Sequence, residues 1–206
     1  MMLLLQIIEW SIFMNICVFG AASSEIDNKY IESVERLCEK LAQNGHNLVF
    51  GAGGQGLMGA AARGFKKGGA TITGVIPHFF KDADIEAIYD HCDELIYTDT
   101  MRERKAEMEE RADAFLIVPG GIGTFEEMFE VLTLKQLGRH EKPIVIYNYL
   151  NYYDNLEKLI NNSIREDFIR ETCKTLYGFI DDEAEILKYL NKDNSVDYSV
   201  KQLKDG

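Results

Sequence analysis

The sequence predicts an α/β fold: a doubly wound, Rossmann-like, mostly parallel sheet of about seven strands with helices on both faces. Three observations predict it. Short, β-branched apolar runs alternate with longer helical patterns, the arrangement that packs helices over parallel strands. The connections are mostly a few residues long, as in compact α/β units. Several loops that leave the strands are rich in glycine, and in doubly wound sheets ligands bind at those carboxyl ends.

The first strand is NICVF, near 15–19, and the loop GAASSE follows it. A helical pattern follows near 27–44. NLVF near 47–50 is the second strand, and GAGGQG leads from it into a helix near 57–68. TITGVI near 71–76 and ELIYT near 94–98 supply the third and fourth strands. A charged helix near 100–112 precedes AFLIV, 114–118, an unbroken apolar run of the kind buried on both faces. PGGIGT then opens a helix near 124–137. Strands near 143–147 and 176–180, with helices near 153–164 and 182–190, complete the order.

A single domain is expected over 15–190, preceded by an N-terminal extension, 1–14, and followed by a polar tail, 191–206, loosely attached and inert. The extension lacks the cationic start and small-residue cleavage site of a secretory signal, and its apolar run is too short to span a bilayer. It is either an over-extended start or a short helix lying on an apolar surface.

With 206 residues, 46% of them apolar, the chain can bury one sizeable core. A formal charge of -12 argues against nucleic acid or an anionic membrane as partner, so a phosphate ligand needs a local positive pocket. Cys17, Cys38, Cys92 and Cys173 are scattered without a CxxC pair, which fits a reducing cytoplasm better than a disulfide framework or a zinc site. His46 and His140 are expected in turns, and His78 and His91 flank the loop after the third strand. None has a partner at metal-ligand spacing, so no metal is expected.

The most informative run is PGGIGTFEE, Pro119 to Glu127. Gly120, Gly121 and Gly123 allow positive φ and close approach of a ligand, and the N–H groups of a helix start favour an anion. Glu127 is out of place for simple phosphate binding, because like charges repel, and it points to chemistry. Thr124-x-x-Glu127 is equally the pattern of a capping box, and both uses stay open. Glu126 sits about 100° round the helix and is a ligand or a cap.

MRERKAEM, 101–108, places Arg102, Arg104 and Lys105 at a helix start in an acidic protein. Met101, Lys105 and Met108 share one face, with Arg104 about 100° from Lys105. These cations either pair with Glu103, Glu107 and Glu109 on a solvated face or serve as anion ligands. Their unfavourable position on the helix dipole favours the second for Arg104 and Lys105. GAGGQG matches GxGxxG, but it follows the second strand and lacks the acidic residue about 20 positions later that NAD binding requires. Gly53 and Gly54 then either permit a tight turn or touch a second phosphate or ribose. Ser23 and Ser24 cap the next helix or contact the same ligand.

Taken together, CVFGAASS, GAGGQGLMG, GVIP, MRERKAEM and PGGIGTFEEMFEVLT resemble the LONELY GUY (LOG) type phosphoribohydrolases, often labelled lysine decarboxylase-like, from about Asn15 to Leu190. The resemblance implies a hydrolase that cleaves the N-glycosidic bond of adenosine 5′-monophosphate, or of N6-modified cytokinin nucleotides, to free base and ribose 5-phosphate. It implies a homodimer without metal or organic cofactor. It also implies catalytic roles for Arg104 and Glu127, and substrate contacts at Lys105, Gly120, Gly121, Gly123, Thr124, Glu126 and Thr133. Relatives usually have histidine where Arg102 stands, and the substrate-contacting glutamate after GVIP falls on Glu86 or Asp84. The decarboxylase label finds no support in the residues, since a pyridoxal phosphate enzyme needs a recognisable Schiff-base lysine and pyridine partner. The alternative is a nucleotide- or molybdenum-cofactor-binding carrier, which needs the phosphate clamp but not Arg104 together with Glu127.

Overall fold

The computed structural model describes residues 13–82, 87–192 and 198–204; Glu86, Asp84 and all but the end of the 1–14 extension lie outside them. Seven strands form one sheet: β1 (Asn15–Phe19), β2 (Asn47–Phe50), β3 (Ile72–Pro77), β4 (Glu94–Thr98), β5 (Ala114–Ile117), β6 (Ile144–Tyr147) and β7 (Gly178–Ile180). Their order is β4-β3-β2-β1-β5-β6-β7, and every pairing is parallel rather than mostly so. The helices are α1 (Asn28–Gln43), α2 (Gly56–Lys67), α3 (His78–Asp82), α4 (Met101–Arg111), α5 (Ile122–Gln136), α6 (Asp154–Arg165), α7 (Glu183–Leu190) and α8 (Val200–Lys204). Among the described residues, no helix is long and apolar enough to cross a membrane.

The two-residue period of a strand divides the core into two layers. Ile16, Val18, Leu48, Phe50, Leu116 and Val145 meet α1, α2 and α7, while Cys17, Phe19, Val49, Phe115, Ile117 and Ile146 meet α4 and α5. Because β1 pairs with both β2 and β5, the strand order reverses direction at β1. The loops after Phe19 and Ile117 leave the sheet side by side, since these two residues are in register. That crevice is where a doubly wound sheet binds its ligand.

Three expectations are corrected. The tail is not loose throughout: α8 buries Leu203, whose carbonyl accepts from Gln136 Nε2 at 3.0 Å. His46 follows the turn at Asn44 and Gly45 as expected, but it is fully buried rather than on the surface, with neither ring nitrogen hydrogen-bonded. Neither Ser23 nor Ser24 caps the first helix, because Asp27 is the N-cap and accepts the Lys29 N–H at 3.0 Å.

Candidate active site

A cavity of about 360 Å³ opens at the β1/β5 crevice. Its walls come from the β1 loop (Gly20 to Ser23), Gly51 and Gly53 after β2, Met58 on α2, Met101, Arg104 and Met108 on α4, Gly121 just before α5, and Gly123, Thr124, Glu126 and Glu127 on it. The volume is in the range of small-molecule sites. Among the described residues no cluster of His, Cys, Asp and Glu could hold a metal ion.

The glycine turn works differently from the sequence expectation. None of Gly120, Gly121 and Gly123 has positive φ. Their value is small size: a Cβ on Gly120 would strike Thr124 Oγ1 at 2.1 Å, whereas Gly121 and Gly123 face open space that a ligand can fill. Helix α5 begins at Ile122, two residues before the predicted start, with Gly121 as N-cap and no side-chain cap. Thr124 and Glu127 therefore form no capping box, which frees the carboxylate to enter the cavity.

Arg104 is brought to Glu127 from α4. Its Nη1 stands 3.6 Å from Glu127 Oε1, and both side chains are largely buried. The guanidinium is held by main chain: Nε donates to the Val75 carbonyl at 3.1 Å and Nη2 to that of Gly51 at 3.3 Å. The Phe80 ring lies 5.8 Å from its central carbon, a favourable cation–π distance. A Cβ at position 51 would lie 1.6 Å from Arg104 Nη2, so any other residue there displaces the guanidinium from this seat. Helix α4 starts from a full capping box, Thr100 with Glu103, which offsets the cost of its cations near the N-terminus.

Burial pushes the Glu127 carboxyl up to about 7, opposed by the Arg104 guanidinium and reinforced by Glu126. Such a group exchanges a proton near neutrality, the range in which a general base is effective.

Of the expected site residues, Arg104, Glu127, Glu126, Gly121, Gly123, Thr124, Gly53 and Ser23 line this one cavity. Lys105 does not. It pairs with Glu126 and, at 2.6 Å, with Glu130, so its charge is already matched. The cavity face of α4 is Met101, Arg104 and Met108, so of the two cations expected as anion ligands only Arg104 reaches the cavity. Gly120 lies behind the wall, its carbonyl taken by the Tyr152 hydroxyl at 2.7 Å. Gly54 supports the loop before β4, donating its N–H to Ala87 O at 2.6 Å. Thr133 is exposed about three turns along α5, where it lines a separate concavity with Phe129, Leu132 and Cys173. Gly51 and Met58 are lining residues that the sequence did not single out, and Met101 and Met108 stood out there only for sharing a helix face. The spacing i, i+3, i+7 from Met101 through Arg104 to Met108 was a usable signal for that face.

Comparison with known proteins identifies the family. The family model described as "Possible lysine decarboxylase" matches residues 58–190. A cytokinin riboside 5′-monophosphate phosphoribohydrolase of Arabidopsis thaliana, LOG2, is 36% identical over 180 residues, 87% of this chain and 84% of that protein. The chain belongs to the LOG family. A second Arabidopsis thaliana relative of the same described activity, LOG7, is 35% identical over 87% of this chain and 82% of its own length. Among solved structures, the molybdenum cofactor carrier protein of Chlamydomonas reinhardtii superposes with a TM-score of 0.63 at 22% identity, covering 84% of this chain and 92% of that one. That likeness concerns the fold alone. In this LOG-family site no lysine lines the cavity among the described residues, so the decarboxylase description has no candidate for a Schiff base there.

Proposed function

We propose that this chain is a hydrolase cleaving the N-glycosidic bond of adenosine 5′-monophosphate or N6-modified, cytokinin-type nucleoside 5′-monophosphates, releasing the base and ribose 5-phosphate. The observation that carries it is the buried Arg104–Glu127 pair, 3.6 Å apart, beside the open amide end of α5. A phosphate suits those amides. With the phosphate fixed there, the ribose is oriented and remote binding energy assists the chemical step.

Glu127 stabilises the oxocarbenium-like ribose and orients or deprotonates a water. The water oxygen bonds to C1′ as the C1′–N9 bond breaks, and the bond's electron pair leaves with the base, which gains a proton. Arg104 balances the charge of the phosphate or holds Glu127 ionised. LOG2 and LOG7, named for this activity, support the assignment. So does the apolar methionine wall of Met58, Met101 and Met108, which suits a base or its apolar N6 substituent.

The proposal extends to a homodimer in a reducing cytoplasm that binds neither nucleic acid nor membrane. Four free thiols support the compartment, the charge of -12 supports the absence of polyanion partners, and exposed Phe129, Leu159 and Phe168 support burial against a second copy. The deciding experiment incubates purified protein with AMP, an N6-substituted AMP and adenosine, and assays ribose 5-phosphate and free base. Hydrolysis of the nucleotides but not the nucleoside is expected. Tight nucleotide binding without product would favour a carrier instead.

A further inference from the structure

The turn that precedes α5 has three successive carbonyls, and each is taken by a donor from outside it. The Val118 carbonyl accepts from the Tyr153 hydroxyl at 2.8 Å, that of Pro119 from the Ala21 N–H at 3.1 Å, and that of Gly120 from the Tyr152 hydroxyl at 2.7 Å. In a trans peptide the N–H points opposite to the carbonyl. Turning the Gly120 carbonyl toward Tyr152 therefore turns the Gly121 N–H the other way, and Gly121 lines the cavity. The first bond of the α5 ladder runs from the Phe125 N–H to the Gly121 carbonyl, so the Gly121 amide lies ahead of it.

The loop that delivers Tyr152 is built against local preference. Leu150 and Asn151 are consecutive non-glycine residues with φ of 53° and 61°. Such backbone is strained and persists only where its surroundings over-determine it, a feature concentrated at functional sites. Here Asn148 fastens the loop: its Oδ1 accepts the Tyr153 N–H at 2.6 Å and its Nδ2 donates to Asp154 Oδ1 at 3.0 Å. The Tyr152 ring is wedged edge-to-face against Tyr30 and Tyr153.

We propose that Tyr152 is a positioning residue: its hydroxyl holds the Gly120–Gly121 peptide with the carbonyl outward and the N–H toward the 5′-phosphate. This rests on the nucleotide reading of the cavity. Without that hydroxyl the peptide is free to flip, and a flipped peptide presents a partial negative charge to an anion. Tyr153 provides an internal control, because the peptide after Val118 belongs to Pro119, which has no N–H to offer.

The test compares Tyr152→Phe and Tyr153→Phe, each keeping its ring. Ribose 5-phosphate and inorganic phosphate binding are measured by calorimetry, alongside Tm, free adenine binding, KM and kcat for AMP. Tyr152→Phe is expected to weaken ribose 5-phosphate about tenfold, the order of one hydrogen bond to a charged group, and to raise the KM for AMP while adenine affinity is kept. Tyr153→Phe is expected to lower Tm with ribose 5-phosphate affinity retained. Wild-type affinity in Tyr152→Phe, or equal losses in both variants, overturns the proposal. Wild-type protein that binds ribose 5-phosphate but hydrolyses no nucleotide would overturn the hydrolase assignment and leave this comparison standing; wild-type protein that hydrolyses AMP but binds neither phosphate ligand overturns this proposal alone.

Discussion

Arg104 Nη1 stands 3.6 Å from Glu127 Oε1, yet the guanidinium is fixed by the carbonyls of Val75 and Gly51 rather than by the carboxylate. Two anchors, one within β3 and one just after β2, need the planar fork of arginine. A lysine can reach only one of them, as a point charge. Arg104→Lys is therefore expected to lose at least about a hundredfold in kcat/KM, close to the loss in Arg104→Ala, with the circular dichroism spectrum unchanged. Near-normal turnover by the lysine variant would mean that charge alone suffices.

Glu127 sets the pH dependence. With its carboxyl at about 7, a base role predicts activity that climbs through neutrality and levels off above it. The stability linkage has the opposite sign. The folded protein holds this proton more tightly than the unfolded chain, so stability falls as pH rises from the unfolded carboxyl value to about 7 and stays reduced above it. Glu127→Gln should abolish turnover while raising Tm at pH 8, by up to about 3 kcal/mol of stability, with little gain at pH 4. A variant less stable than wild type at pH 8 would contradict the burial that drives the shift.

Gly51 is a seat for the arginine. Its Cβ position lies 1.6 Å from Arg104 Nη2, so Gly51→Ala must displace the guanidinium from the carbonyl it bonds. Loss of about tenfold or more in kcat, with a Tm near that of wild type, is the expected result, because a small misplacement at a charged centre is costly. Full activity would show that the arginine relaxes freely within the site.

Much of this was legible because it is local. NICVF and AFLIV give their two-sided burial away by composition, and Arg104 and Glu127 each sit in a motif at a strand-to-helix junction. What was hidden depends on partners distant in sequence. Lys105 read as an anion ligand until α4 and α5 packed together and gave it Glu126 and Glu130. The carbonyl of Val75 and the hydroxyl of Tyr152 join the site across 29 and 32 positions of chain, and no spacing rule encodes either. The capping box at Thr124 failed because the glycines let the helix start two residues early, whereas the identical pattern at Thr100 and Glu103 formed.

Lys135 offers a test of packing apart from the chemistry. Its side chain is almost fully buried in α5, and its ammonium donates to the Lys142 carbonyl at 2.9 Å. Burial lowers it to about 8. The unfolded chain thus binds this proton more tightly than the folded one, and stability is lost as pH falls from the ordinary lysine range to about 8, with the full cost remaining below. Lys135→Met keeps the length and apolar body of the side chain and removes the charge. The expected gain at pH 7 is about 1–2 kcal/mol, after the loss of one hydrogen bond, or roughly 2–6 °C in Tm. The advantage should shrink as the pH approaches 10, where the wild-type lysine is neutral when folded. Thermal melts of both proteins at pH 7 and pH 10 check this, and a methionine variant that melts lower at pH 7 would show that the bond to Lys142 outweighs the cost of burying the ammonium.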